Sequence, residues 1–334
     1  MSDYLTILES AWQDHLKPKA DNAPTVISLF AGCGGSSLGY SMAGYRELLS
    51  VEWDNNAVET FRLNFPEVPV YHGDICKLSV GEVLTMTGLQ PGELDVLDGS
   101  PPCQGFSTAG KRVMDDPRNQ LFKEYVRLLR GLKPKVFVME NVSGMVKGKM
   151  KIIFAEILRE LKASGYKVSA RLLNAMYFNV PQSRQRMIFI GVRDDLGIEP
   201  SHPVAESKPF GVPRETEATE KWLSEKQNNQ ARDHKARHLA KGNGFGFQLL
   251  SEIKPSPTFP KTQIIQTALL WDECGLLRAP SMKELHFIGS YPLGFRFTDY
   301  DNAWTRIGNS VPPLFMRSIA QHIRTHLLAT NTGK

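Results

Sequence analysis

The 334 residues include only four cysteines, Cys33, Cys76, Cys103 and Cys274, and no two form a Cys-x-x-Cys pair. Four in a chain this long make no disulfide framework, so a reducing cytoplasm is the expected setting, and no metal site is expected. Long apolar runs are missing too. Thr25–Gly32 and Lys135–Val142 are short, against the roughly 20 apolar residues of a membrane helix, so no membrane partner is expected. The N-terminus, MSDYLTILESAWQDHL, carries acids early and lacks the charged-then-apolar pattern of a secretory leader. No internal repeat or low-complexity tract interrupts the chain. Neither charge dominates: 40 Lys and Arg face 35 Asp and Glu, a net +5 that permits a polyanionic partner without demanding one. At 41% hydrophobic and 22% charged residues the composition is globular, and the length suits about two domains, or one large domain with an insertion.

Residues 1–24 read as a short N-terminal helix and its exit. Leu5, Leu8, Trp12 and Leu16 lie at spacings of three and four, one apolar stripe for docking on the next domain, and Pro18 and Pro24 end it. From Thr25, apolar strands alternate with helices. Strands are expected at Thr25–Phe30, Leu48–Glu52, Val68–His72, Leu94–Asp98, Val136–Glu140, Val168–Leu173 and Met187–Val192. Helices are expected at Ser36–Ala43, Asn119–Gly131 and Ile152–Ser164. Uninterrupted apolar strands separated by helices indicate an α/β fold, a doubly wound parallel sheet covered on both faces. Ligands of such sheets sit beyond the carboxyl ends of the strands.

The texture changes after Arg193. Residues 194–277 are rich in Pro, Gly, Ser, Asn and Gln, and 221–261 hold eight basic residues against three acids. That local excess equals the net charge of the whole chain. It suggests a smaller irregular domain with a basic surface, a solvated loop-rich insertion being the plainer alternative. A closing helix, Pro313–Leu328, is expected to return to the large domain. The expected division is 25–193 plus 309–334 for the large domain, 194–280 for the small one and 281–308 for their junction.

Four constellations carry chemistry. The first, Phe30-Ala-Gly-Cys-Gly-Gly, follows the first strand, where glycines at 32, 34 and 35 permit a tight turn and close ligand approach. Alone it could be an ordinary strand–helix turn. Glu52 and Asp74, ending the next two strands, favour a nucleoside: one carboxylate for ribose hydroxyls, one near an adenine amino edge. The spacing is not Gly-x-Gly-x-x-Gly, so a cofactor without pyrophosphate, such as S-adenosylmethionine, suits it better than NAD. The second, Gly99-Ser-Pro-Pro-Cys103-Gln-Gly-Phe-Ser107, ends the fourth strand. Two prolines stiffen the loop, so Cys103 is a candidate nucleophile, while Cys33, Cys76 and Cys274 read as small buried thiols. The third, Glu140-Asn141-Val142, ends the fifth strand and offers a carboxyl beside that cysteine. The fourth, Gln182-Ser-Arg184-Gln-Arg186, leads into the seventh. Alternation places Gln182, Arg184 and Arg186 on one face, with guanidinium forks for carbonyl or phosphate oxygens.

Together these motifs resemble the cytosine-C5 DNA methyltransferases of bacterial and phage restriction–modification systems. The resemblance runs in the family's order from Val26 to Pro313: FAGCGG, Glu52-Trp53-Asp54, GDI, SPPCQGFS, ENV, QSRQR, a variable segment, a late block and Gly308-Asn-Ser-Val-Pro-Pro313. It implies methyl transfer from S-adenosylmethionine to C5 of a flipped-out cytosine in double-stranded DNA. In the roles it implies, Cys103 attacks C6, Glu140 holds the base at N3 and its amino group, and Arg184 meets O2. Arg186 orients that loop and Asn141 holds the Pro-Cys loop. The cofactor pocket would comprise Phe30, Gly32, Gly34, Glu52, Trp53, Asp74, Ile75, Pro102, Leu121, Asn309 and Ser310, with Trp53 stacked on adenine. Gln104, Ser107, Lys235, Arg237 and Lys241 would touch DNA, and a monomer is expected.

The sequence departs from the family pattern in the late block, Arg278–Pro292. It keeps Arg278, Glu284 and Pro292 but has Pro280-Ser281 for the usual Leu-Thr, Lys283 and Phe287 for two arginines, and Arg306 for a glutamine. The tRNA-methylating branch keeps nearly all these motifs, but its Cys-Phe-Thr signature is absent from the variable region. A catalytically inert DNA-binding homologue is the reading from another class; the intact Cys103, Glu140 and Arg184 speak against it.

Overall fold

The computed structural model describes residues 3–102, 120–146, 150–215, 222–243, 246–262 and 269–329. In chain order the elements are α1 (Asp3–Leu16), β1 (Thr25–Leu29), α2 (Gly35–Met42), β2 (Arg46–Glu52), α3 (Asn55–Asn64), β3 (Val70–His72), α4 (Val80–Thr87) and β4 (Val96–Gly99). There follow α5 (Gln120–Leu132), β5 (Val136–Val142), α6 (Met150–Lys162), β6 (Tyr166–Asn174), β7 (Gln185–Arg193), α7 (Glu225–Ala240) and β8 (Gln248–Leu249). The last are β9 (Leu269–Glu273), β10 (Leu276–Arg278), α8 (Met282–Gly289), α9 (Tyr300–Asn309) and α10 (Pro313–Ile323). The chain divides into two compact units, one of Gln13–Leu173, Gln185–Val204 and Met316–Lys334, the other of Met1–Trp12, Asn174–Arg184 and Ala205–Phe315. The cuts fall at 204/205 and 315/316, where composition placed them at 193/194 and 308/309.

The larger unit is built on a seven-stranded sheet in the order β3-β2-β1-β4-β5-β7-β6. The order reverses between β1 and β4, the switch point at which doubly wound sheets bind ligands. Strands β1 and β4 are buried throughout, as their unbroken apolar sequences require. The sheet is α/β as expected but not wholly parallel: β7 pairs antiparallel with β5, from Val136 opposite Val192 to Val142 opposite Arg186. Apolar content does not encode strand direction, so the sequence could not announce this. Gly191 is fixed by the pairing, because a Cβ there would lie 1.9 Å from the Phe137 ring. The closing helix meets its expected partner: Tyr45 Oη donates to Ala320 O and Arg324 Nη1 to Ala43 O, at 3.0 and 2.8 Å.

The smaller unit contains a three-stranded sheet, β10-β9-β8. It is less irregular than its composition suggested, because 16-residue α7 runs through the polar stretch; only Asn228 and Ala231 are buried on it, so no apolar stripe gave it away. Arg278 is fully buried in this unit. Its guanidinium forks onto Glu284 at 2.7 and 2.9 Å and meets Glu273 at 2.6 Å, which supplies the partners a buried cation needs. Glu284 also closes a capping box with Ser281, so serine performs at this departure the cap that threonine would. Helix α1 buries Tyr4, Leu8 and Ala11; of the expected stripe Leu8 is buried, Leu5 and Trp12 are half-buried, and Leu16 is exposed. Tyr4 donates to Phe287 O at 2.6 Å, so the first residues of α1 pack within the smaller unit rather than on the sheet. Of the cysteines expected to be buried, Cys33 is; Cys76 and Cys274, on a short helical turn and a hairpin turn, are exposed.

Beneath the switch point lies a buried acid. Asp98 on β4 is 3% exposed, and burial pushes its carboxyl up to about 8, with Glu47 adding like charge and hydroxyls of Ser36 and Tyr40 opposing. An acid that binds its proton more tightly folded than unfolded stabilises the fold below the usual carboxylate range near 4 and loses that contribution as pH rises toward its folded value. Stability should therefore fall from pH 4 to 8. Urea unfolding at pH 5 and 8 should show a smaller fall in midpoint for Asp98→Asn than for the wild type; equal falls would assign the titration elsewhere.

Candidate active site

The cofactor half of the site begins where β1 ends. Phe30, Gly32 and Gly34 all have positive φ, at 57°, 58° and 93°, so the chain turns sharply into α2. A Cβ at Gly34 would sit 2.5 Å from the Phe65 ring, so this position requires glycine on space as well as on φ. Glu52, ending the neighbouring strand β2, gathers the turn. Its Oε2 accepts from Gly32 N at 2.8 Å, and its Oε1 accepts from Trp53 N and Asp54 N at 2.8 and 2.9 Å. One carboxylate thus joins two loops from adjacent strands and keeps lone-pair capacity for a further donor. Trp53 is 78% exposed, a free aromatic face beside it. Asp74 caps the turn after β3, and the Cys76 N–H and thiol hold its carboxyl below the usual range. Ile75 is buried behind it, while Phe30 and Leu121 are half-buried against the core.

The second half forms across β4 and β5, which pair in parallel. Gly99 ends β4; a Cβ there would be 2.8 Å from the Tyr125 ring, so the strand passes tightly over α5 into Pro101, buried, and Pro102, exposed. Cys103, Gln104 and Ser107 lie outside the described residues. Asn141 on β5 reaches Pro101: its Nδ2 donates to the carbonyl at 3.2 Å while its Oδ1 accepts from Val142 N. Glu140 is buried and is met by Arg186 from β7, Nε to Oε1 at 2.6 Å. The contact is diagonal across the antiparallel pair, since Glu140 faces Ile188 and Arg186 faces Val142. Sequence reasoning missed this ion pair because a parallel β7 would not place its first residues beside the end of β5.

The three residues expected on one face of the last strand separate. Only Arg186 lies on β7; Gln182 and Arg184 precede it and belong to the smaller unit. Gln182 donates to Ile288 O at 3.0 Å. Arg184 is buried, and its guanidinium donates to Gly308 O at 2.9 Å and Phe259 O at 3.4 Å. Asn309 and Ser310, also of that unit, end α9, where Ser310 N bonds Arg306 O. Lys235 lies over the Phe247 ring at 4.3 Å, Arg237 is exposed on α7, and Lys241 is exposed at that helix's C-terminal cap. Among the described residues no group of three His, Cys, Asp or Glu could hold a metal, and no helix is long and apolar enough to cross a membrane.

Known proteins resemble this chain over most of its length. The family model of the C-5 cytosine-specific DNA methylases matches residues 24–325. The Type II methyltransferase M1.HphI of Haemophilus parahaemolyticus is 34% identical over 325 residues, covering 90% of this chain and 86% of that relative. M.HpaII of Haemophilus parainfluenzae is 33% identical over 253 residues, 73% of this chain and 68% of its own. Among solved structures, an Entamoeba histolytica methyltransferase superposes with a TM-score of 0.70 at 18% identity, over 93% of this chain and 99% of its own, a likeness of fold. The motif order, the switch-point site and these matches lead to one assignment: the chain belongs to the C-5 cytosine-specific DNA methylase family.

Proposed function

We propose that the enzyme transfers the methyl group of S-adenosylmethionine to C5 of a cytosine flipped out of duplex DNA, through a transient Cys103–C6 bond. The observation that carries this reading is the Glu140–Arg186 pair beside the Asn141–Pro101 bond, which sets a fixed carboxylate next to the strand exit leading to Cys103. The cofactor's residues are suited to it: a glycine turn with open space beside Gly32, the Glu52 carboxylate with capacity left, and the exposed Trp53 indole for adenine. Asp74 and Ile75 would flank the base, with Phe30, Gly32, Pro102 and Leu121 beside it. S-adenosylmethionine, when bound, supplies a methyl group activated by its sulfonium.

Cytosine C5 is too weak a nucleophile for that carbon unaided. The Cys103 thiolate attacks C6, forming an S–C6 bond and pushing the electron pair toward C5 and N3. Glu140 holds the base at N3 and the exocyclic amino group; it passes a proton to N3 as the thiolate adds, neutralising the charge that attack creates, and takes it back when the thiolate leaves. Arg186 engages Oε1 of Glu140, so Oε2 is directed to the base. The family resemblance assigns Arg184 to the cytosine O2, but its guanidinium is buried and engaged by the Gly308 and Phe259 carbonyls, so no contact with the base is proposed for it. C5 takes up the methyl group as the donor's sulfur keeps the bonding pair and leaves as a neutral thioether; C5 then loses its proton to water, and the returning electron pair expels the thiolate, restoring the aromatic ring and the free cysteine. The reaction requires flipping because C6 is inaccessible in a stacked duplex, at a cost of a few kcal/mol. The segment 194–280 serves target recognition: phosphate contacts position it, and base-edge contacts in the major groove specify the site.

Base-resolution cytosine mapping of DNA from expressing cells should reveal methylation at one short sequence. Cys103→Ala should abolish methylation while leaving DNA affinity nearly intact. With 5-fluorocytosine at the target, the wild type should form a stable protein–DNA adduct only when S-adenosylmethionine is present, because fluorine cannot leave as a proton does. An active Cys103→Ala variant, or no adduct with the wild type, would remove the cysteine from the mechanism.

Two strand-end acids should respond oppositely. Glu140→Gln should slow turnover about 10²–10⁴-fold, the usual contribution of a positioned acid, with little change in cofactor KM. Glu52→Ala should raise cofactor KM more than it lowers kcat. Steady-state kinetics in both substrates checks this, and exchanged phenotypes would refute the strand-end assignments.

A further inference from the structure

Helix α7 is unusual for a helix of a folded domain in what it buries and what it shows. Its inward contacts are slight. Ala231 joins a small cluster with Phe247, Leu270, Leu277 and Ala279. Asn228 accepts from Leu277 N at 3.3 Å and donates to Gly275 O, and Arg232 reaches Asp272 at 2.9 Å. The helix is thus held on the β9–β10 hairpin mainly by two short side chains and Arg232, with Lys235 lying over the Phe247 ring. Residues 226, 229, 230, 233, 236, 237 and 240 form its exposed stripe at helical spacing. Among the described residues, the side chains of Asn229, Gln230 and Asp233 engage no protein partner; Arg237 donates to the Asp233 backbone carbonyl, not to its carboxylate.

We propose that this exposed stripe enters the major groove of duplex DNA, where Asn229, Gln230 and Asp233 read base edges between phosphate contacts made by Lys226 and Arg237. The inference rests on the reading of the protein as an enzyme acting on duplex DNA. Charge and dimension both support the groove as occupant. The helix carries Lys226, Arg232, Lys235 and Arg237 against Glu225 and Asp233, a net +2, with Lys241 at its end. An α-helix is about 10–12 Å across and the major groove about 12 Å wide. Lys226 and Arg237, eleven residues apart, stand about 16 Å apart along the axis at 1.5 Å per residue, enough for their long side chains to reach phosphates on both walls. The residues between them are small or amide-bearing, and Ala236 and Ala240 let the helix approach closely. Asn and Gln pair bidentately with adenine N6 and N7, and a carboxylate accepts from cytosine N4. The recognised sequence should therefore hold an A·T pair read by Asn229 or Gln230 and a C·G pair read by Asp233.

The test is methylation of a duplex library randomised around the target cytosine and read at base resolution, with the full-length wild type and the variants Asn229→Ala, Gln230→Ala, Asp233→Ala, Lys226→Ala and Arg237→Ala. Thermal melting within the small range of surface substitutions shows that each variant folds. At least one amide variant should lose about ten- to a hundredfold of its discrimination at one A·T position, and Asp233→Ala the same at one C·G position. Lys226→Ala and Arg237→Ala should weaken binding of every sequence alike and each reduce the slope of log affinity against log salt by about one. Folded Asn229, Gln230 and Asp233 variants that keep the wild-type preference within twofold at every position, or that lose activity equally on all sequences, overturn the inference alone. A wild type that methylates no duplex cytosine overturns the functional reading and this inference together.

Discussion

Strand β7 runs against β5, and the edge proposed to be catalytic depends on that direction. The antiparallel register sets Arg186 diagonal to Glu140 and closes a 2.6 Å ion pair between two largely buried side chains. A buried carboxylate without such a partner would carry a heavy desolvation cost. With it, Glu140 is fixed where β5 leaves the sheet, and the next residue, Asn141, ties down Pro101 on the neighbouring strand. The same pairing demands a glycine at 191, where the Phe137 ring fills the space of any side chain. The direction of β7 thus sets the cation of the acid, while β5 itself, through Asn141, sets the exit of β4 at Pro101.

The cofactor edge is organised differently, by hydrogen bonds to one side chain. Glu52 collects amides from the turn after β1 and from the start of the segment after β2. The turn can present those amides because Gly32 and Gly34 hold left-handed backbone. Asp98 lies at the end of β4 between these two edges, and its neighbours Ser36 and Tyr40 belong to the helix that opens directly after the glycine turn. Its tight hold on a proton makes the centre of the sheet sensitive to pH in the physiological range.

Much of this was legible in the sequence because strand ends announce themselves. Apolar runs marked the seven strands of the large sheet, and Glu52, Asp74, Gly99 and Glu140 stand at or beside their carboxyl ends. The neighbours in space, β4 beside β5, follow from doubly wound order. What escaped notice shares one physical origin: it lies in pairings between residues far apart in sequence. The direction of β7 depends on its partner. The burial of Arg184 depends on carbonyls at 259 and 308. Helix α7 has too few buried apolar residues to show a period, and α1 turns Tyr4 and Ala11 inward because Phe287 and its surroundings receive them.

The shallow seat of α7 has a consequence for how such a protein can change over generations. A helix held mainly by Asn228, Ala231 and Arg232 contributes little to the core beneath it. Its outward residues can be exchanged without repacking that core, and surface exchanges seldom alter stability by more than about half a kcal/mol. Drift along this helix is therefore nearly neutral for folding, while the Glu140–Arg186 pair and Gly191 tolerate almost none. The molecule can explore new surface chemistry at α7 through single substitutions, each of which leaves a folded protein with its catalytic edge unchanged.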